Sequence, residues 1–323
     1  MRIGIHLPHI DRRTRKPLDA EMVAERAQWV EEAGFNGIWV GDHLPIAGVP
    51  ERDHAEPFLA LLVAAMATKT IEVGTCIYGI PLRNAADIAM HLYTFQGFAP
   101  GRLTFGVGTG SSPLEYELAG VDWADRYKLL HGHMAQIRGL FRGEMIDGLH
   151  DREFGGIDAV MVGEKTHEKG LAEIVGMPET LIGAWYSGKQ IQRAATEYDG
   201  WIASAGPMAL DGSFSWQGLR DSMKHFREMG GKRAIITSIP IDPGAPAETL
   251  HDDSYFHMLY NNPAEGTDRL KMLEDIGFDD ILLSFGDSQH LQGKESSRQR
   301  MAYRDFTRED LDKVRALWPG ELG

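Results

Sequence analysis

Eight short apolar runs, each followed by an amphipathic stretch, constrain this chain of 323 residues more than any other feature. The runs are Ile3–Leu7, Gly37–Val40, Ile71–Ile77, Leu103–Val107, Thr180–Trp185, Gly200–Ala203, Ala234–Ile239 and Asp280–Ser284. Ile38-Trp39-Val40 is apolar without alternation, as in a parallel strand covered on both faces. Helical stretches follow at Asp19–Ala33, Pro57–Ala67, Ala85–Phe95, Ala124–Phe141, Lys189–Glu197, Trp216–Met229, Pro263–Ile276 and Thr307–Leu317. Their punctuation agrees: Gly34 and Gly277 are helix terminators, Asn262-Pro263 reads as an N-cap with proline in the first turn, and Thr307 to Asp310 has capping-box spacing. Eight strand–helix pairs predict an α/β fold of the (β/α)8 TIM barrel type. A doubly wound open sheet would use six of the pairs and leave two unexplained. No linker divides the chain, so one domain over 1–323 is expected, with an insertion at 143–179 before the fifth strand. A second irregular stretch, 241–261, is rich in Pro, Gly and Asp and leaves the seventh strand.

Charge and composition narrow the function classes. A net charge of −14 argues against a nucleic-acid or acidic-membrane partner, because both attract a positive surface. No apolar run reaches the roughly 18 residues of a membrane span. Met1-Arg2-Ile3-Gly4 enters a strand without a signal-peptide core, and the single cysteine, Cys76, excludes an internal disulfide. A cytoplasmic location is expected.

In a barrel the carboxyl ends of the strands converge on one mouth, where α/β enzymes collect their chemistry. Asp42-His43 stands there after the second strand. Histidine titrates near neutrality and a neighbouring carboxylate assists it, so His43 is the leading catalytic candidate; capping of the strand end is the alternative role. After the third strand come Cys76, Tyr78 and Arg83. After the fourth, Gly108-Thr109-Gly110-Ser111 forms a glycine-rich turn that lets backbone approach a ligand closely, or packs strand against helix. Trp185-Tyr186-Ser187 follow the fifth strand, where the aromatic pair suits stacking on a flat ring or burial in the rim. Arg12, Arg13, Arg15 and Lys16 could meet an anionic tail, or be solvated. A metal site is not expected: His131 and His133 lie two apart in a helix and do not share a face.

Several of these segments, in order, resemble the bacterial luciferase-like flavin-dependent oxidoreductases. They are Ala33 to His43, Ile71 to Thr75 with Pro81-Leu82-Arg83-Asn84, Gly101 to Gly110, Glu115 to Val121, Ala124-Asp125-Arg126, Tyr198 to Trp201, and Leu270 to Leu283. The resemblance implies a barrel that binds FMN or the deazaflavin coenzyme F-420 at the carboxyl ends of the strands. It puts His43 at the family's active-site histidine. Asp42, Cys76, Ile77, Thr109, Gly110, Ala184, Trp185, Tyr186 and Ser187 fall at cofactor-binding positions, with Cys76-Ile77 at a bulge, sometimes with a cis peptide, under the isoalloxazine. Phe58, Tyr78 and Ser111 are expected to line the substrate pocket. Two departures stand out. Ala184-Trp185 replaces paired glycines in the phosphate turn, and Ser111 stands where deazaflavin sugar-phosphate dehydrogenases carry a glutamate.

The resulting expectation is hydride transfer to or from a small organic substrate, with the Gly-Val-Gly-Thr-Gly turn nearer the deazaflavin branch. An FMN-dependent two-component monooxygenase served by a separate flavin reductase is the alternative. A non-catalytic flavin-binding protein on the same barrel is the second. The resemblance also makes a homodimer an expectation.

Overall fold

The computed structural model describes residues 1–8, 10–11, 16–45, 55–142, 171–184, 188–204, 216–244, 263–287 and 302–318. The strands are β1 (Arg2–His6), β2 (Ile10–Asp11), β3 (Lys16–Pro17), β4 (Gly37–Val40), β5 (Glu72–Thr75), β6 (Tyr78–Gly79), β7 (Leu103–Gly108), β8 (Glu179–Ala184), β9 (Gly200–Ser204), β10 (Arg233–Ile241), β11 (Asp280–Asp287) and β12 (Ala302–Tyr303). The α-helices are α1 (Ala20–Glu32), α2 (Pro57–Ala67), α3 (Ala85–Phe98), α4 (Pro113–Ala119), α5 (Arg126–Arg142), α6 (Leu171–Val175), α7 (Gly188–Thr196), α8 (Trp216–Glu228), α9 (Pro263–Ile276) and α10 (Arg308–Leu317).

Strands β1, β4, β5, β7, β8, β9, β10 and β11 pair in that order, all parallel, and β11 returns to β1. The sheet therefore closes into a (β/α)8 barrel with helices outside. Local chemistry explains the helix ends. Gly34 takes φ +78° after α1, with its N–H on the Glu31 carbonyl and the Phe35 N–H on Val30. Thr307 and Asp310 close a reciprocal capping box on α10. The expected third strand, Ile71–Ile77, is divided: β5 stops at Thr75, and β6 resumes pairing with β7. Of the expected insertion, 143–170 lies outside the described residues, as do 245–261 and Asn262; within 171–179 the chain forms α6 and enters β8.

Two layers of side chains fill the lower barrel interior. At the amino-terminal end Arg233 donates to Glu72 at 2.8 Å and Asp280 at 2.9 Å, and also bonds Glu179. Arg2 joins the same Glu72 and Asp280. Burial pushes the Glu72 carboxyl up, but the Arg233 hydrogen bonds and charge prevail and hold it below the usual carboxylate range. The middle layer is apolar: Trp39, Leu181, Ile202, Ile235 and Leu282. The indole of Trp39 takes space that side chains on neighbouring strands would fill. A β-carbon on Gly74 would sit 2.3 Å from two of its ring carbons, and one on Gly4 2.7 Å from its ring nitrogen. The ion-pair layer and the tryptophan layer together fill the lower barrel, which leaves the carboxyl-terminal mouth for chemistry. A cavity of about 550 Å³ does open at the amino-terminal face, between Arg2, Gln96, Arg102 and Glu179. It lies at the end of the barrel opposite His43. Among the described residues no helix is long and apolar enough to cross a membrane.

Candidate active site

His43 follows β4 at the mouth, and its backbone neighbour is held firmly. The Asp42 carboxylate accepts two hydrogen bonds from the Arg83 guanidinium, at 2.6 and 2.8 Å, and one from the Gly79 N–H at 2.8 Å. Arg83 in turn lies 4.3 Å over the Tyr78 ring. Asp42, expected to meet the cofactor, therefore spends its oxygens on tying β4 to the β6 segment. The carboxylate that does reach His43 comes from 72 residues downstream: Glu115 Oε1 stands 2.7 Å from His43 Nδ1. Glu115 is 1 % exposed and His43 28 %, so the pair has a buried acid end and an accessible imidazole. Residue patterning did not single out Glu115; only its place in a resembling segment did.

The glycine turn sets Glu115 in position. Gly110 takes φ +72°, and a β-carbon there would lie 4.0 Å from Glu115 Oε2. Tyr116 donates its hydroxyl to the Thr109 carbonyl at 2.6 Å and packs edge-on against Trp123 at 4.8 Å, which fixes α4 against the turn. Ser111, expected in the substrate pocket, is exposed beside this turn.

Below His43 lies His6, at the end of β1. Burial is the main cause that pushes its pKa down, to about 4, and the His43 charge acts in the same direction. It is a neutral imidazole at neutral pH. Across the mouth the Cys76 thiol donates to the Thr237 hydroxyl at 2.7 Å. Burial pushes that thiol up to about 12 against the opposing hydrogen bond, so it is not a thiolate nucleophile. The Cys76–Ile77 peptide is cis. Ile77 lies over two glycines: added β-carbons would fall 2.0 Å from it at Gly108 and 3.0 Å at Gly183. Ile77 and Cys76 are both partly accessible, and with the glycines they make a low aliphatic wall beside His43. Ala184 is buried, its carbonyl accepting from Trp201 Nε1 at 2.8 Å. Trp185, Tyr186, Ser187 and the basic residues Arg12 to Arg15 lie outside the described residues.

Phe58 and Tyr78 are placed elsewhere. Both are buried between helices and sheet, their rings 4.8 Å apart and within 5.8 Å of Phe105. The register gives the reason. Gly74 pairs with Thr104, but Tyr78 pairs with Val107, one residue out of step. A one-residue slip carries a side chain to the opposite face of the sheet, here the helix side.

Comparison with known proteins agrees with this architecture. The chain is 30 % identical over 211 residues to the F420-dependent hydroxymycolic acid dehydrogenase of Mycobacterium tuberculosis, covering 63 % of this chain and 52 % of that one. It is 28 % identical over 155 residues to the oxygenase component of the flavin-dependent trigonelline monooxygenase of Acinetobacter baylyi, 46 % and 41 % of the two chains. The first relatives it matches are spanned over about a third to a half of their length. Among solved structures, monooxygenase RslO1 from Streptomyces bottropensis superposes with a TM-score of 0.69 at 14 % identity, over 98 % of this chain and 96 % of that one, a likeness of fold. The profile of the luciferase-like monooxygenases matches residues 1–229, well over half of the chain, and the chain belongs to that family.

Proposed function

We propose that this chain is an oxidoreductase that uses a flavin-type cofactor, with the deazaflavin F-420 as the first choice, to move a hydride to or from a small organic substrate. The observation that carries the reading is the His43–Glu115 pair beside the Cys76–Ile77 wall. A flat aliphatic surface over Gly108 and Gly183 suits one face of a tricyclic ring, and the ring edge would then face an imidazole backed by a carboxylate. Cys76, Ile77, Thr109 and Gly110 would hold the ring, with Gly183 and Ala184 leading into the turn assigned to its phosphate. The bound cofactor supplies the hydride chemistry; the protein orients the partners, excludes water and manages one proton at His43. The relative that matches the longest stretch among those described above is F420-dependent, which supports the deazaflavin. Ser111, in place of a glutamate, weighs against a sugar phosphate.

The relationship to the trigonelline monooxygenase component supports a second reading, an FMN-dependent monooxygenase supplied with reduced flavin by a separate reductase. A homodimer completes the proposal. The sequence of α2 has no charged residue, and Leu59 and Met66 on it are 67 % and 68 % exposed. Phe98 on the neighbouring α3 is 62 % exposed, so these two helices carry exposed apolar side chains on which two copies could meet.

The test is His43→Gln. A catalyst loses about a hundredfold or more in turnover while binding cofactor as before. A flavin-storage protein is indifferent to the change, and that result would sink the proposal.

A further inference from the structure

We infer that Glu115 is a positioning residue: it holds neutral His43 in the Nδ1–H tautomer and thereby makes Nε2 the nitrogen that exchanges protons. The inference rests on the reading of His43 as the proton-transfer group. Glu115 itself touches neither substrate nor cofactor in this account; it acts through the imidazole.

The geometry carries the argument. An ionised carboxylate has only acceptor sites, so with Glu115 ionised the 2.7 Å contact between Glu115 Oε1 and His43 Nδ1 puts the proton on Nδ1. With Nδ1 engaged, the lone pair that takes up a proton belongs to Nε2. When Nε2 gains that proton the ring becomes imidazolium, Nδ1–H stays on Glu115, and the carboxylate charge faces the new positive charge across the same hydrogen bond. No proton needs to pass to Glu115 for this to work.

Both ends of the pair are set before any ligand arrives. Asp42, the residue before His43, is gripped by Arg83 and the Gly79 N–H, which fixes where the imidazole starts. Tyr116, the residue after Glu115, is anchored on the Thr109 carbonyl, which fixes where the carboxylate starts. A buried acid that served only α4 would have no need of this alignment. An acid that orients a proton carrier does, because a rotated ring or the wrong tautomer presents the wrong nitrogen.

His6 completes the arrangement as a neutral neighbour. With its pKa pushed down to about 4, mainly by burial, it adds no positive charge beneath His43 at neutral pH. Glu115 thus places its carboxylate against the His43 imidazole, while the Asp42 carboxylate is committed to Arg83.

The tautomer can be read directly in protein without cofactor. Histidine-ring ¹⁵N labelling and a long-range ¹H–¹⁵N spectrum at about pH 8, above the ordinary histidine range, distinguish the two neutral forms. The His43→Gln spectrum assigns the His43 signals among the thirteen histidines. The expected result is a protonated Nδ1 and an unprotonated Nε2 in the wild type, the form that isolated neutral histidine disfavours. In Glu115→Gln, whose amide both donates and accepts, that preference collapses toward a mixture or reverses. Turnover with whichever flavin-type cofactor binds falls at least about tenfold, while cofactor affinity changes less than about twofold. A predominantly Nε2–H imidazole in the wild type would overturn the inference, because the proton of the contact would then lie on Glu115. So would an unchanged tautomer in a folded Glu115→Gln protein. The wild-type spectrum decides the first point even if the variant does not fold. Failure to bind any flavin would remove the functional reading and leave the tautomer result standing on its own.

Discussion

His6 makes the protein acid-labile in a specific window. The unfolded chain binds a proton at the ordinary value of 6.5, whereas the folded chain resists it until about 4. Stability from this group is therefore complete above about pH 6.5, declines as the pH falls through the interval, and levels off below about 4. At about 1.4 kcal/mol per pH unit of separation, the loss reaches about 2 kcal/mol by pH 5 and about 3 kcal/mol by pH 4. His6 sits in the mouth with partial access to water, which makes these upper bounds. The acids held low by their partners, such as Glu31 and Asp310, lose their stabilisation at more acidic pH, below the ordinary carboxylate range. Substituting His6→Asn separates the two effects. Urea unfolding followed by tryptophan fluorescence, at about pH 7.5 and about pH 5, gives a pH-dependent loss for each protein. The wild type is expected to lose about 1–2 kcal/mol more than His6→Asn over that interval. Equal losses within about 0.5 kcal/mol, the ordinary scatter of such comparisons, would refute a His6 held neutral in the folded chain.

Three further outcomes follow from the same structure. Gly74→Ala places a β-carbon 2.3 Å from Trp39 and should cost about 1–3 kcal/mol, with a part recovered in Gly74→Ala/Trp39→Phe; additive effects in urea melts would contradict the packing. Arg233→Met removes the cation shared by Glu72, Glu179 and Asp280, with Arg2 left beside Glu72 and Asp280, and should cost about 3–5 kcal/mol; a neutral or stabilising change in thermal unfolding would mean that the layer is not a tight ion cluster. Cys76, the single cysteine with a thiol pushed up to about 12, should react with iodoacetamide at about pH 8 more than a hundredfold slower than a free thiol of ordinary pKa near 8.5. Alkylation at the free-thiol rate would show that the Cys76 thiol is not shielded.

The barrel was legible because each strand carries its own signal. Runs such as Ile38-Trp39-Val40, and stops such as Gly34, identify strand and helix without help from distant residues, and β4 and α2 fall on their expected bounds. What the pattern could not show was the partner of His43. Asp42 is adjacent in sequence and looked like the other half of a dyad, yet successive residues at a strand end point apart, and Asp42 turns to Arg83. Glu115 reaches His43 only because β4 and β7 are two strands apart in a closed barrel, a fact of topology. Tyr78 lies away from its expected place for a related reason. Simple alternation continues the inward face of Glu72 and Gly74 to residue 78, and the one-residue slip before β6 reverses it. Phe58 then follows Tyr78 into the aromatic cluster.

On the proposed reading, the carboxyl-terminal mouth, with His43 beside the Cys76–Ile77 wall, receives a flavin-type cofactor. Titrating the purified protein with F-420 and with FMN, by quenching of tryptophan fluorescence, tests it most directly. Micromolar binding of F-420, corresponding to about 8 kcal/mol, and weaker binding of FMN are expected. The reverse preference would transfer the reaction to the reductase-supplied monooxygenase. Binding of neither would overturn this assignment and leave the family relationship as a statement about fold alone.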